Sequence, residues 1–226
     1  MPDVEHMNPG LLYKIVILLV TVVCKVFFRL KIQDAENLPS QGGVLIACSH
    51  QSFLDPIVVA IGTGKRPVAF MARDTLFKNW AFGWFISHLN AFPVHRGAAD
   101  RDAIREAVKR LRAGNALLIF PEGRRSDDGR VGELQSGSAM LAYWGKVPIV
   151  PAVIKGAFEA WPRSRKLPRP HRISITFGPA IPPPAAGDRE TSEKVRVELQ
   201  RRLEELMGQQ RLKAEGFELR TLNFEL

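Results

Sequence analysis

Short, unbroken apolar runs recur along this chain, and they limit what it can fold into more than any other feature. They read "GVLIAC" at 43–48, "PVAFMA" at 67–72, "NAFPVH" at 90–95, "ALLIF" at 116–120, "VPIVPAVI" at 147–154 and "RISITF" at 172–177. Most do not alternate between apolar and polar residues. A strand with one wet face alternates; a strand covered on both faces does not. Segments with helical signals lie between several of these runs. "DPIVVAIGT" opens with an aspartate as N-cap and a proline at the first helical position. "TLFKNWAFGWFISH" is a second such segment. "DRDAIREAVKRLRAG" carries Ile104, Val108 and Leu111 at helical spacing and stops at Gly114. This order predicts an α/β fold, a mostly parallel sheet flanked by helices.

The 226 residues suit one large domain with appendages, and 46% hydrophobic content supports a sizeable core. A Pro-rich link, "AIPPPAAGD" at 180–188, precedes a charged helix with Val195, Leu199, Leu203 and Leu206 on one face. No element is assigned after Gly208. The expected organisation is an N-terminal helix in 1–33, a core in 34–182 and a C-terminal helical extension packed on it in 183–226. The formal charge of +9 favours anionic partners: nucleic acid, phosphorylated substrates or an anionic membrane surface. The two cysteines, Cys24 and Cys48, form neither a metal-ligand pattern nor a disulfide framework, which points to a reducing compartment.

Residues 11–30, "LLYKIVILLVTVVCKVFFRL", are long enough to span a bilayer but are interrupted by Lys14, Lys25 and Arg29. On a helical wheel Lys14, Thr21 and Lys25 point within about 20° of one direction, and the rest of the circumference is apolar. A helix of this kind lies in the membrane interface with its lysines reaching toward phosphates. A core helix and a spanning helix are the competing readings. Asp3 and Glu5 ahead of the run argue against a secretory signal.

The chemistry is carried by "SHQSFLDP" at 49–56, directly after the first apolar run. Proline disfavours helical geometry in the residue before it, so Asp55 is expected outside the helix. On a strand-to-helix turn, Asp55 folds back to His50, fixing the ring's tautomer and leaving the other nitrogen to take a proton from a hydroxyl. No Gly-x-Ser-x-Gly elbow supplies a nucleophile, so the hydroxyl belongs to a substrate. "FPEGRRS" at 120–126 brings an acid, a glycine and two arginines to another strand end, where ligands bind in open α/β sheets. "NAFPVHRG" delivers Arg96 to a third, and "VPIVPAVIKG" is a buried strand bracketed by prolines.

Together, "HQSFLD", "AFPVHR", "EGRRS" and "VPIVPA" resemble the four blocks of the glycerolipid acyltransferase superfamily, and specifically those of 1-acyl-sn-glycerol-3-phosphate acyltransferases. The resemblance covers roughly residues 40 to 180. It implies that His50 is the catalytic base and Asp55 its orienting partner. It also implies that Arg96, Glu122, Gly123, Arg125 and Ser126 help bind the glycerol-phosphate acceptor. Arg73, in "FMARDTLF", stands where relatives often carry Lys and is a further candidate phosphate contact. The implied reaction moves an acyl group from an acyl-CoA or acyl-carrier-protein thioester to the sn-2 hydroxyl of lysophosphatidate, with no cofactor and no metal. Backbone N–H groups near the turn are the expected oxyanion donors. The expected location is a membrane surface, at the cytoplasmic face of the inner or plasma membrane. Ser49, Arg124 and "LQSGSA" at 134–139 depart from the common pattern and leave the acceptor open to other lyso-lipids.

Three rivals stand beside this reading. Cys48 lies on the same strand face as His50 and offers a covalent route. A non-catalytic lipid-binding protein leaves the His50–Asp55 pair without a use. A nucleic-acid-binding protein has the charge but none of the modules. The stretch "LFKNWAFGWFISHL" at 76–89, with Trp80 and Trp84 four apart, is either core or a second membrane contact.

Overall fold

The structure, a computed structural model, describes residues 10–64, 66–95 and 100–222, from 210 onward by backbone alone. Among the described residues, seven strands form one sheet: β1 (Lys31–Gln33), β2 (Val44–Cys48), β3 (Val68–Arg73), β4 (Ala91–Val94), β5 (Ala116–Ile119), β6 (Ile149–Lys155) and β7 (Ser174–Phe177). Their spatial order is β1-β7-β6-β2-β5-β3-β4. All described strand pairings are parallel except β6 with β7, and an isolated antiparallel bridge joins Ile149 to Ile181.

β2 shows why the apolar runs do not alternate. Val44, Ile46 and Cys48 enter the core on one face of the sheet, Leu45 and Ala47 the core on the other. The first face is covered by α1 (Leu11–Phe27) and α2 (Asp55–Gly62), through Cys24, Val58, Val59 and Ile61. The second is covered by α4 (Arg101–Arg112), α5 (Gly137–Gly145) and α7 (Arg189–Leu222), through Ala107, Leu111, Ala142, Leu199 and Leu203. The result is a three-layer arrangement. α3 (Trp80–His88) closes the edge beside β3 and β4, and α6 (Ala157–Ala160) is a single turn after β6.

All six expected strands form. The sequence reading missed β1, a three-residue edge strand, and α5, which opens on glycine with no side-chain cap. α7 runs through Gly208 to Leu222. A helical glycine costs about 1 kcal/mol relative to alanine, too little to stop a helix of good formers such as Leu, Met, Gln and Lys. Asp55 is the first residue of α2 rather than outside it, with Pro56 in the first turn, where a missing N–H costs nothing. Its side chain turns back onto the preceding loop instead of capping the helix.

α1 lies between core and solvent. Tyr13 and Cys24 are buried, whereas Leu11, Leu18, Leu19, Val22, Val23 and Val26 are each more than half exposed. No helix among the described residues is long and apolar enough to cross a membrane. Trp80 and Trp84 are also more than half exposed, so core packing does not account for them.

One tight turn feeds the functional edge. Gly156 follows β6 at φ +85°, and a Cβ there would sit 1.9 Å from the Arg172 carbonyl oxygen. The turn leads through α6 to Trp161, whose carbonyl accepts from the Ser52 hydroxyl at 2.8 Å. Gly156→Ala is expected to lower stability by about 2 kcal/mol or more, read as the denaturant midpoint of the detergent-solubilised protein. An unchanged midpoint contradicts this account of the turn.

Candidate active site

β2 ends at Cys48, and the chain makes a tight loop before α2 begins. The Asp55 carboxylate organises that loop. Its Oδ2 accepts the backbone N–H of Gln51 at 2.6 Å and of Ser52 at 2.8 Å, and meets His50 Nδ1 at 2.8 Å. Asp55 is fully buried, and its Oδ1 has no hydrogen-bond partner among the described residues. A buried carboxylate is tolerated only where several donors converge on it, and here they converge on one oxygen. With Nδ1 held by a carboxylate, the ring takes the tautomer that carries its proton there. Nε2 is given no protein hydrogen bond by the described residues. The ring stacks on Phe120, centroids 3.9 Å apart, which fixes its plane.

A second loop clamps His50 from the other side. Phe120 follows β5, the neighbour of β2, so "FPEGRRS" arrives beside the His50 turn. Glu122 Oε1 accepts the His50 backbone N–H at 2.9 Å, and Oε2 accepts that of Gly132 at 3.1 Å. The Ser126 backbone N–H donates to the His50 carbonyl at 2.7 Å. His50 is therefore gripped at its N–H, its C=O and its ring. Burial pushes the Glu122 carboxyl above its usual range, opposed by the two N–H donors.

This changes the reading of the second motif. Glu122 is buried with both oxygens on main-chain donors, and a carboxylate so placed has no attraction for an anionic phosphate. Its geometry fits positioning of His50 rather than acceptor binding. Gly123, at φ +70°, makes the turn that aims Glu122 inward. Ser126 holds the histidine through its backbone, while its hydroxyl donates to Asp128 at 3.0 Å. Arg125 is the half-buried cation of the loop, its guanidinium 3.6 Å from the centre of the Phe53 ring. Arg73 ends β3, exposed at the same C-terminal edge but two strands from β2. Arg96 lies outside the described residues.

The turn narrows two readings that the sequence left open. The N–H groups of residues 50, 51 and 52 are already engaged by Glu122 and Asp55, so they are not open to an oxyanion. Cys48 is fully buried, and its thiol is pushed well above its usual range by desolvation, then by the nearby Asp55 and Glu122 charges. A thiol held neutral is a poor nucleophile. Sequence reading also missed the supports of the turn. Gln51 Nε2 donates to the Gly129 carbonyl at 2.9 Å, and Phe53 packs on Trp161 with centroids 5.2 Å apart.

A family model described as "Acyltransferase" matches residues 29–155, more than half of the chain, including His50, Asp55, Glu122 and Arg125. The chain belongs to this acyltransferase family. The chain is 35% identical over 126 residues to the 1-acyl-sn-glycerol-3-phosphate acyltransferase of Bacillus subtilis (strain 168), 56% of this chain and 62% of that protein. It is 28% identical over 150 residues to the protein of the same name from Streptococcus pneumoniae (strain ATCC BAA-255 / R6), 66% of this chain and 54% of that one. The chain thus spans less than two thirds of the length of these two relatives. The crystal structure of the 1-acyl-sn-glycerophosphate (LPA) acyltransferase, PlsC, from Thermotoga maritima superposes with a TM-score of 0.66 at 28% identity, over 86% of this chain and 81% of that one.

Glu122→Gln separates the two roles of this acid. One amide oxygen keeps one backbone bond, while the NH2 group confronts a second N–H donor. The expected result is kcat lowered about tenfold or more with KM little changed, because the histidine is displaced while the arginines of the loop keep their places. A raised KM at unchanged kcat contradicts positioning and restores acceptor binding.

Proposed function

We propose that this acyltransferase moves a fatty acyl group from an acyl thioester to the sn-2 hydroxyl of 1-acyl-sn-glycerol 3-phosphate, forming phosphatidate. The observation that carries the reading is the His50–Asp55 contact at 2.8 Å, with the ring locked so that Nε2 is left for a substrate. The names of the relatives supply the substrate class.

His50 Nε2 takes the proton of the sn-2 hydroxyl as its oxygen attacks the thioester carbonyl carbon. Asp55 stabilises the imidazolium that forms. The tetrahedral intermediate collapses, the C–S bond breaks, and His50 returns the proton to the departing thiolate. Proton, acyl group and leaving group all balance, and the chain itself forms no covalent bond to the acyl group. A thioester is already activated, so positioning and one base suffice. Arg125, with Arg73 at the end of β3, is assigned to the acceptor phosphate, and Arg96 keeps the role its motif implies, since guanidinium grips phosphate by paired N–H donors. Gly123 and Ser126 serve that site by shaping the loop that carries Arg125.

The acceptor's acyl chain keeps it in the bilayer by about 10 kcal/mol, at about 0.8 kcal/mol per CH2. The enzyme must meet it there. α1 supports this: one side packs on the core, the opposite side exposes Leu and Val, and the exposed Lys14 and Lys25 lie along one flank. Such a helix lies in the interface with its lysines at the phosphates. Trp80 and Trp84 on α3 supply a second contact of the kind aromatic side chains make at headgroup depth. The site is assigned to the cytoplasmic face, where the thioester donors are made.

The reaction is tested with the protein in detergent, lysophosphatidate and a palmitoyl thioester. Phosphatidate should form. His50→Ala should lower turnover by about 10³-fold or more, and Arg125→Ala should raise the apparent KM for lysophosphatidate about tenfold or more. Wild-type turnover in the histidine variant removes the base. A panel in which another lyso-lipid outperforms lysophosphatidate changes the acceptor. Membrane attachment is read separately by vesicle flotation. The protein should bind phosphatidylglycerol vesicles, and Leu18→Glu with Val22→Glu should abolish binding; equal flotation of both proteins contradicts the role of α1.

A further inference from the structure

The outer face of α4 carries a row of cations that the proposed chemistry does not use, of which Arg112 ties α4 to α5, its Nε donating to the Trp144 carbonyl at 2.9 Å. Arg101, Arg105, Lys109 and Arg112 recur at intervals of three or four residues, so they form one stripe about 16 Å long. All four are exposed. The stripe borders a groove of about 580 Å³ whose apolar floor is Ile104 and Val108 of α4 and Trp144 of α5. The acids on this helix do not cancel the row. Asp102 makes an exposed pair with Arg105 at 3.3 Å, and Glu106 turns to the other side, where it holds Arg110 at 2.7 Å.

The placement of the groove narrows its occupant. α4 begins at the C-terminal edge of the sheet, where Asp100 caps it and also accepts from the His95 backbone N–H at 2.8 Å. It ends at the opposite edge, where the Leu111 carbonyl crowds Gly43 ahead of β2. The groove therefore leads away from the edge that holds His50. α4 and α1 cover opposite faces of the sheet, so when the exposed side of α1 meets lipid, the α4 stripe faces the aqueous phase. A lipid surface is thus not its partner. The cations stand a turn apart along a line rather than converging on one point, which does not suit a single diphosphate. A cationic rail beside an apolar floor matches an amphipathic helix with acids on one flank and apolar anchors beside them.

We infer that the α4 groove docks the acidic helical face of a carrier protein that bears the acyl thioester. This inference rests on the proposed reaction, which requires a thioester donor and leaves its carrier open. Charge complementarity supplies encounter rate and orientation, and the apolar floor supplies the anchor. Docking at the Arg101 end of the groove, where α4 begins at the C-terminal edge of the sheet, sets the carrier on the side of the catalytic edge.

The test uses the full chain in detergent and acyl carrier protein, both acyl-free and loaded with palmitate. Binding of the acyl-free carrier is measured by titration against wild type and against Arg105→Glu with Lys109→Glu. Binding should weaken about tenfold or more in the double variant and should fall as salt rises, since exposed charge pairs are screened. The KM for palmitoyl carrier protein should rise by a similar factor. Arg105→Gln with Lys109→Gln, expected to act in the same direction more weakly, replaces the reversal where circular dichroism shows that the latter does not fold. No binding by wild type, or equal binding by wild type and variants, overturns the inference. Phosphatidate formation reads the proposed reaction alone: if neither palmitoyl coenzyme A nor palmitoyl carrier protein yields phosphatidate while carrier binding persists, the reaction falls and the docking surface stands.

Discussion

A single carboxylate oxygen holds this site together. Asp55 Oδ2 gathers two backbone N–H groups and the His50 ring in a place with no solvent exposure. Hydrogen bonds to a charged group contribute about 1.5–3 kcal/mol each, and here they offset the cost of burying the charge. The same bonds dictate the path of the chain from β2 into α2. The loop conformation and the orientation of the base are therefore one physical event. Neither exists without the other.

The second loop extends this logic across the sheet. β2 and β5 are neighbours, so the segment after β5 lands beside the His50 turn, and Glu122 and Ser126 fasten to the main chain of the histidine itself. Residues 72 apart in sequence are thus bonded to each other, and a base gripped at backbone and ring needs little reorganisation when a proton moves. The layers on either side have different duties. One carries α1 with its exposed apolar side, the other carries α4 with its row of cations, so the proposed lipid and carrier surfaces face opposite ways around one catalytic edge.

Much of this was legible in the chain. Unbroken apolar runs mark strands covered on both faces, and β2 divides its residues between the two cores as that rule requires. The five-residue step from His50 to Asp55 closes because a proline-initiated helix follows a tight loop. What escaped the sequence has physical causes. β1 is three residues of an edge strand with a charged start, and its signal comes from pairing with β7 rather than from its own composition. The duty of Glu122 is invisible because its partners are main-chain N–H groups, which every residue carries. The exposure of Trp80 and Trp84 depends on which side of α3 meets the sheet edge, and a nearly all-apolar helix does not announce that side.

The tautomer of the His50 ring tests the central claim most directly. In protein labelled with ¹⁵N at its histidines, with the His50 signal assigned by its loss in His50→Gln, the neutral ring should carry its proton on Nδ1, toward Asp55, and leave Nε2 bare. A neutral ring protonated at Nε2 would be unable to accept a substrate proton there and would contradict the account.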